Sequence, residues 1–222
     1  NSVVEALRAG VPVTGLYAVP DTPAPAGGFP LVSFAHGTTG VGRMCGISHT
    51  PFQVRTPGFS AWTPHMLPMV EAGWAVVATD YSGMGAPGPS SYLVGPLEGR
   101  GILDALRAVQ TPAPDIGSVP IDRSKLGIYG KSQGGEAALS ALQLAPDYAP
   151  ELDLGGGVAL APGLTPALQG VLNTVAGNPT STAQNMFVLL IAKSYAENYP
   201  ELVSLDDILS PAGKQKIELL NI

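Results

Sequence analysis

At residues 124–145 an apolar run, SKLGIYG, gives way within three residues to an alanine-rich one, GGEAALSALQLA, and the join, Lys131-Ser132-Gln133, leaves no length for a loop. An extended segment that turns directly into a helix brings the two backbones close together, so the residues flanking the turn must be small. Gly130 and Gly134 meet that demand in a G-x-S-x-G spacing, and Gly135 relieves it further. The turn lifts Ser132 to its apex, with the hydroxyl above the sheet. The plainer alternative is a glycine-rich turn with an ordinary serine at a helix start. A second alternative comes from Gly130-Lys131-Ser132, which also ends a phosphate-binding P-loop. That motif needs a glycine five residues before the Gly-Lys pair, and the position holds Lys125, inside the expected strand. The phosphate cradle has no room.

Ser132 therefore reads as a nucleophile. The helix that follows begins at the N–H of Gln133, where the positive end of the helix can stabilise an oxyanion. The charge of a tetrahedral intermediate needs a second donor from a separate loop. FAHGTTG, which closes the first core strand, offers Thr38 or Thr39, and either hydroxyl could add a third donor. His36 in the same stretch reads as a residue that holds the loop by hydrogen bonds and not as the base.

Three apolar runs bounded by turn residues read as buried parallel strands: PLVSFAHG (30–37), GWAVVATD (73–80) and SKLGIYG (124–130). LGGGVALAP (154–162) is a fourth, weakened by glycine. Between them LEGRGILDALRAVQ (97–110) puts Ile102, Leu103, Leu106 and Val109 on one helical face, and another helix begins at Gln133. This alternation predicts an α/β fold with an open, mostly parallel sheet, helices on both faces and functional loops at the carboxyl ends of strands. After Pro162 the spacing becomes helical throughout, with no convincing strand. The expected division is a core over 1–162 and a helical cap or insertion over 163–222.

Composition removes several function classes. A net charge of −6, with 11 Lys and Arg spread along 222 residues, leaves no basic stripe for phosphates, so nucleic acid is not an expected partner. The longest apolar run, MFVLLIA, is too short to span a membrane. His36, His49 and His65 lack the spacing of a ligand set, and neither a metal nor another cofactor is expected. Cys45 is the only cysteine, which excludes an internal disulfide. The opening NSVVEALRAG lacks the pattern of a signal peptide, so the expectation is a cytosolic chain or one whose leader has been removed.

A serine nucleophile needs a histidine to take its proton and an acid to orient that histidine. In folds with this turn the order is Ser, then Asp or Glu, then His. All three histidines precede Ser132. Asp147 and Asp153 sit in APDYAPELD, read as a surface turn, and Asp206 and Asp207 in SLDDILS, a helix start where aspartates cap. The strands that would carry the acid and the histidine do not appear, so both are expected beyond Ile222 or on a second chain.

Four stretches, LVSFAHGTTGVGRMCGIS, VEAGWAVVATDYSGMG, EGRGILDALRAVQ and GIYGKSQGGEAALSALQLAPDYAPELDLGGGVALAP, together resemble the secretory lipases related to lipase A of Candida antarctica, including their actinobacterial relatives. The resemblance runs through nearly the whole chain. It implies an α/β-hydrolase fold and a secreted serine carboxylic ester hydrolase, lipase or esterase, working through an acyl-enzyme on Ser132. It implies a cap over an acyl tunnel, with residues 163–222 as its first portion and the family's Asp and His beyond Ile222. Aligned without gaps from Val32 to Cys45, the family's oxyanion residue falls on Thr39, while an H-G-x reading favours Thr38. The family's acidic residue there is replaced, which is a departure. The family's counterpart of Cys45 is disulfide-bonded, which implies a partner cysteine outside this sequence. In the cap, Met186, Phe187, Leu189, Leu190 and Tyr195 either line the tunnel or pack the cap onto the core. Two other readings remain: another acyl-transfer enzyme on this fold, such as an acyltransferase or peptidase, and a non-catalytic binding module without a triad.

Overall fold

The computed structural model describes residues 10–49, 63–111, 119–163, 168–170, 172–173, 176–178 and 181–218. In chain order these form β1 (Gly15–Ala18), β2 (Phe29–Ala35), α1 (Thr63–Glu71), β3 (Ala75–Thr79), α2 (Gly95–Gln110), β4 (Ile121–Lys131), α3 (Gln133–Tyr148) and β5 (Leu154–Leu160). Three helices follow: α4 (Thr182–Asn198), α5 (Leu205–Ile208) and α6 (Pro211–Glu218). The five strands make one sheet in the order β1-β3-β2-β4-β5. All neighbours run parallel except β1, which pairs antiparallel with β3, Gly15 opposite Thr79.

The four strands expected from the sequence are four of the five that the sheet uses, and the reason shows in their burial. Successive side chains of a strand point to opposite faces, so a strand covered on both faces must be apolar almost throughout. Leu31 and Ala35 of β2 join Ile102, Leu103 and Leu106 of α2 and Ala137, Ala138 and Ala141 of α3 in one cluster. Val32 and Phe34 face the other way and pack with Met66 of α1, flanked by Met69 and Val70. Helices therefore cover both faces. Ser33, fully buried, satisfies its hydroxyl on the carbonyl of Ile102 at 3.3 Å.

Two elements escaped the sequence reading. β1 is four residues long and half-exposed, too short to show an alternation. α1 carries Pro68 inside it, which removes one helical donor and masks the helical pattern. APDY, read as a surface turn, is instead the last turn of α3, closed by the Ala149 N–H on the carbonyl of Ala145. Asp147 is exposed there. At the other edge of the sheet β5 leaves Val158 at 52% and Leu160 at 43% exposure.

α4 opens with a capping box: Ser181 accepts from the Gln184 N–H, and the Gln184 side chain accepts from that of Ser181. Its inner face meets the segment before α2. Leu190 clusters with Val41, Tyr92 and Leu93, with Phe187 and Ile191 packed alongside. The hydroxyl of Ser194 and the amide of Asn198 both donate to the carbonyl of Ser90, at 2.9 and 2.6 Å, and the Tyr195 hydroxyl donates to that of Leu93 at 3.1 Å. The N–H of Ser90 donates in turn to Glu197 at 2.7 Å.

Candidate active site

Ser132 sits where β4 meets α3, with φ 57° and ψ −119°. A serine that caps a helix has extended backbone angles and bonds the second or third N–H of the helix with its side chain. Ser132 does neither, so its hydroxyl is not spent on the helix. Holding a non-glycine residue there costs on the order of 1–3 kcal/mol and persists only where the surroundings over-determine it. They do so here. The Ser132 N–H donates to Leu160 at 2.9 Å, and its carbonyl accepts from Gly135, Glu136 and Gly163 at 2.9, 3.2 and 2.8 Å.

The flanking glycines are dictated by space. A Cβ at Gly130 would overlap the carbonyl oxygen of Gly134; one at Gly134 would overlap that of Ala35 and lie 2.7 Å from that of His36. The turn thus seats the start of α3 directly on the end of β2. Since Ala35 is the sheet partner of Gly130, the loops leaving β2 and β4 emerge side by side. A Cβ on Gly37 would come within 3.7 Å of the Ser132 Cβ, so the His36–Thr39 loop runs past the serine. Among the described residues the N–H groups of Gln133, Thr38 and Thr39 donate to no backbone carbonyl. The hydroxyl of Thr38 pairs with that of Tyr92 at 3.0 Å, and the Thr39 hydroxyl points at the Met84 sulfur at 3.9 Å.

No histidine or aspartate singled out in the sequence bonds Ser132 among the described residues. His36 is buried, its Nδ1 against the carbonyl of Gly37 at 2.7 Å and its ring against Tyr81 at 4.5 Å, while the Tyr81 hydroxyl donates to the His36 carbonyl. Desolvation lowers its pKa and keeps it neutral. His49 is exposed, with Nε2 3.2 Å from the carbonyl of Gly85. His65 bonds Tyr129 through Nδ1 at 2.7 Å and stacks on Phe34; burial and then the charge of Lys131 lower its pKa. Asp147, Asp153 and Asp207 are exposed, and Asp206 pairs with Lys214. Cys45 is half-buried with a free thiol.

A sequence model of the family described as secretory lipase matches residues 51–221. The chain belongs to the secretory lipase family. Lipase 5 of Candida albicans is 30% identical over 143 residues, covering 63% of this chain and 28% of that protein. A Mycobacterium tuberculosis protein named probable inactive lipase is 30% identical over 149 residues, covering 65% of this chain and 31% of its own length. The X-ray structure of Candida antarctica lipase A superposes with a TM-score of 0.67 at 19% identity, covering 95% of this chain and 46% of that one. At that identity the likeness speaks for the α/β-hydrolase fold. The chain spans under a third of those two curated relatives and about half of that solved structure.

The sequence reading missed the acidic residues of this secretory lipase chain that are buried. Asp80, at the end of β3, accepts from the Thr14 hydroxyl at 2.6 Å, the Ser48 N–H at 2.8 Å and the Ser48 hydroxyl, and so anchors the loop around Cys45. Glu98, in the first turn of α2, accepts from the Gln133 side chain at 2.5 Å and from the Leu93 N–H at 3.3 Å. Burial raises its pKa well above the carboxylate range, and that of Glu136 on α3 is raised by the same cause. The available signal was periodicity: Glu98 lies one turn before Ile102 and two before Leu106, in the apolar stripe itself. A cavity of about 610 Å³ beside β1 and α2, lined by Tyr17, Leu97, Arg100 and Tyr148, excludes Ser132. The candidate site therefore rests on the local chemistry of the turn and not on cavity size.

Proposed function

We propose that the chain is the nucleophile-bearing portion of a secreted serine carboxylic ester hydrolase of the lipase or esterase type. The observation that carries this reading is the strained backbone of Ser132, with a hydroxyl unused by the helix and free N–H groups on two loops. Ser132 Oγ attacks the ester carbonyl. The resulting oxyanion accepts from the N–H of Gln133 and that of Thr38 or Thr39, the alcohol leaves, and water releases the acid from the acyl-serine. The proton moves through a histidine oriented by an acid, both supplied by a further segment of the protein. That segment continues the sheet at the exposed edge of β5. It carries the cysteine that pairs with Cys45. The helices after Pro162 form the first portion of a cap; Phe187 and Leu190 pack α4 against Val41, Tyr92 and Leu93, and Met186 and Leu189 face the acyl chain.

A fluorophosphonate probe tests this on the full-length protein. Covalent labelling at Ser132, lost in S132A together with hydrolysis of p-nitrophenyl esters, is the expected result. No label and no hydrolysis in well-folded protein would favour the second reading, a non-catalytic module, which the relative named probable inactive lipase supports. Faster transfer to an added alcohol than to water, or cleavage of peptides instead of esters, would move the protein to another acyl-transfer class.

A further inference from the structure

We propose that Glu98 is a positioning residue that ties together the two loops supplying the oxyanion donors; this rests on the ester-hydrolase reading. One oxygen, Oε1, collects two of its bonds. It receives the Gln133 amide at 2.5 Å, and Gln133 carries the first donor N–H. It also receives the N–H of Leu93, which stands at φ 54°, and the adjacent Tyr92 bonds the Thr38 hydroxyl at 3.0 Å. A single side chain from α2 thereby reaches the elbow on one side and the His36–Thr39 loop on the other.

The second oxygen explains how a carboxyl can occupy that place. Glu98 Oε2 is buried and has no donor, and the same is true of Glu136 Oε2, whose other oxygen takes the Ser140 hydroxyl at 3.0 Å. Each carboxyl acts on the other: Glu136 raises the pKa of Glu98, and Glu98 lowers that of Glu136. One proton between them satisfies both oxygens, and two charges there would satisfy neither. Glu98 is fully buried and Glu136 only partly, so desolvation favours the proton on Glu98, with Glu136 as its acceptor. The other titratable groups that feel the pair are the hydroxyls of Tyr81, Tyr92 and Tyr195. Among the described residues no lysine, arginine or histidine bonds either carboxyl, so no cation favours ionisation. Glu98 is thus a neutral acid, accepting through one oxygen and donating through the other.

A glutamine at 98 reproduces both roles, and this makes the idea testable. Steady-state kinetics on a p-nitrophenyl ester, normalised to sites titrated by fluorophosphonate, compare wild type, E98Q, E98A and Q133M in the full-length protein. E98A and Q133M are expected to lose kcat by about 100-fold with KM little changed, as for a donor displaced by about 1 Å. E98Q is expected to stay within a few-fold of wild type. Should E98A fold poorly, Q133M decides, since it keeps the side-chain volume and the backbone donor. An E98Q as slow as E98A overturns the neutral-donor assignment. A loss of titratable sites with unchanged kcat per site shows a structural role only and overturns the proposal. Wild type that neither hydrolyses ester nor takes the probe instead removes the ester-hydrolase reading on which it rests.

Discussion

Gly99 and Gly101 lie two residues apart on α2, yet alanine at the two positions should change stability in opposite directions. In a helix interior Gly→Ala gains about 1 kcal/mol from backbone entropy. At Gly101 nothing opposes that gain: the new methyl would meet only the Thr79 side chain, at 3.5 and 3.9 Å, ordinary contact distances. At Gly99 the methyl would lie 2.8 Å from the Ala141 nitrogen, 3.0 Å from the Ser140 carbonyl carbon and 3.1 Å from the Ala141 Cα, all backbone atoms of α3. Backbone cannot rotate aside as a side-chain tip does, so the helices must part by several tenths of an ångström in a closely packed interior. Overpacking of this kind costs about 1–3 kcal/mol, which outweighs the propensity gain or at best matches it. The expected result by urea unfolding is a stabilisation of about 0.5–1 kcal/mol for G101A and a net loss of about 0–2 kcal/mol for G99A, with similar m-values. Because Glu98 is the neighbour of Gly99, G99A should also lower kcat while G101A leaves it alone. Equal stabilities for the two variants, or a more stable G99A, would show that α2 and α3 are not held at the separation that the argument requires.

Three further outcomes are expected. S132G and S132A should both abolish ester hydrolysis, but S132G should unfold at higher urea, by about 1 kcal/mol, because glycine accepts φ 57° without strain; equal stabilities would refute the strain. N198A, which removes bonds to the carbonyls of Ser90 and Ser194, should cost about 1–2 kcal/mol in the same assay, and an unchanged midpoint would detach α4 from its role as a fixed neighbour of the 90–94 segment. His36 should make the protein acid-sensitive. Its folded pKa lies below 6.5, so as pH falls through that value the unfolded chain takes up a proton that the folded protein refuses, and stability drops until the folded pKa is reached. The pH-dependence of the difference between wild type and H36Q isolates this slope; a difference flat below pH 6.5 would show that His36 is not held neutral by burial.

Local pattern carried the sequence reading a long way where the physical requirement is itself local. A strand covered on both faces must be apolar along its run, which exposed β2, β3 and β4, and a strand-to-helix turn with no loop must have small residues at Gly130 and Gly134. The antiparallel β1 left no such mark, since its place depends on β3 and not on its own four residues. Thr38 and Thr39 were found by motif, but their hydroxyls answer to Tyr92 and Met84, 54 and 45 residues away. No spacing rule reaches that far.

By itself, the order of amino acids determined an alternating α/β core and a serine forced out of extended geometry by its glycine neighbours, because both follow from sterics within a few consecutive residues. Tertiary structure alone decided that Glu98, written into an apolar helical stripe, would bond the Gln133 side chain and the Leu93 N–H. That pairing arises only when α2, α3 and the segment before α2 pack together. A carboxyl changes from charged surface group to buried hydrogen-bonding acid only once that packing has removed its water.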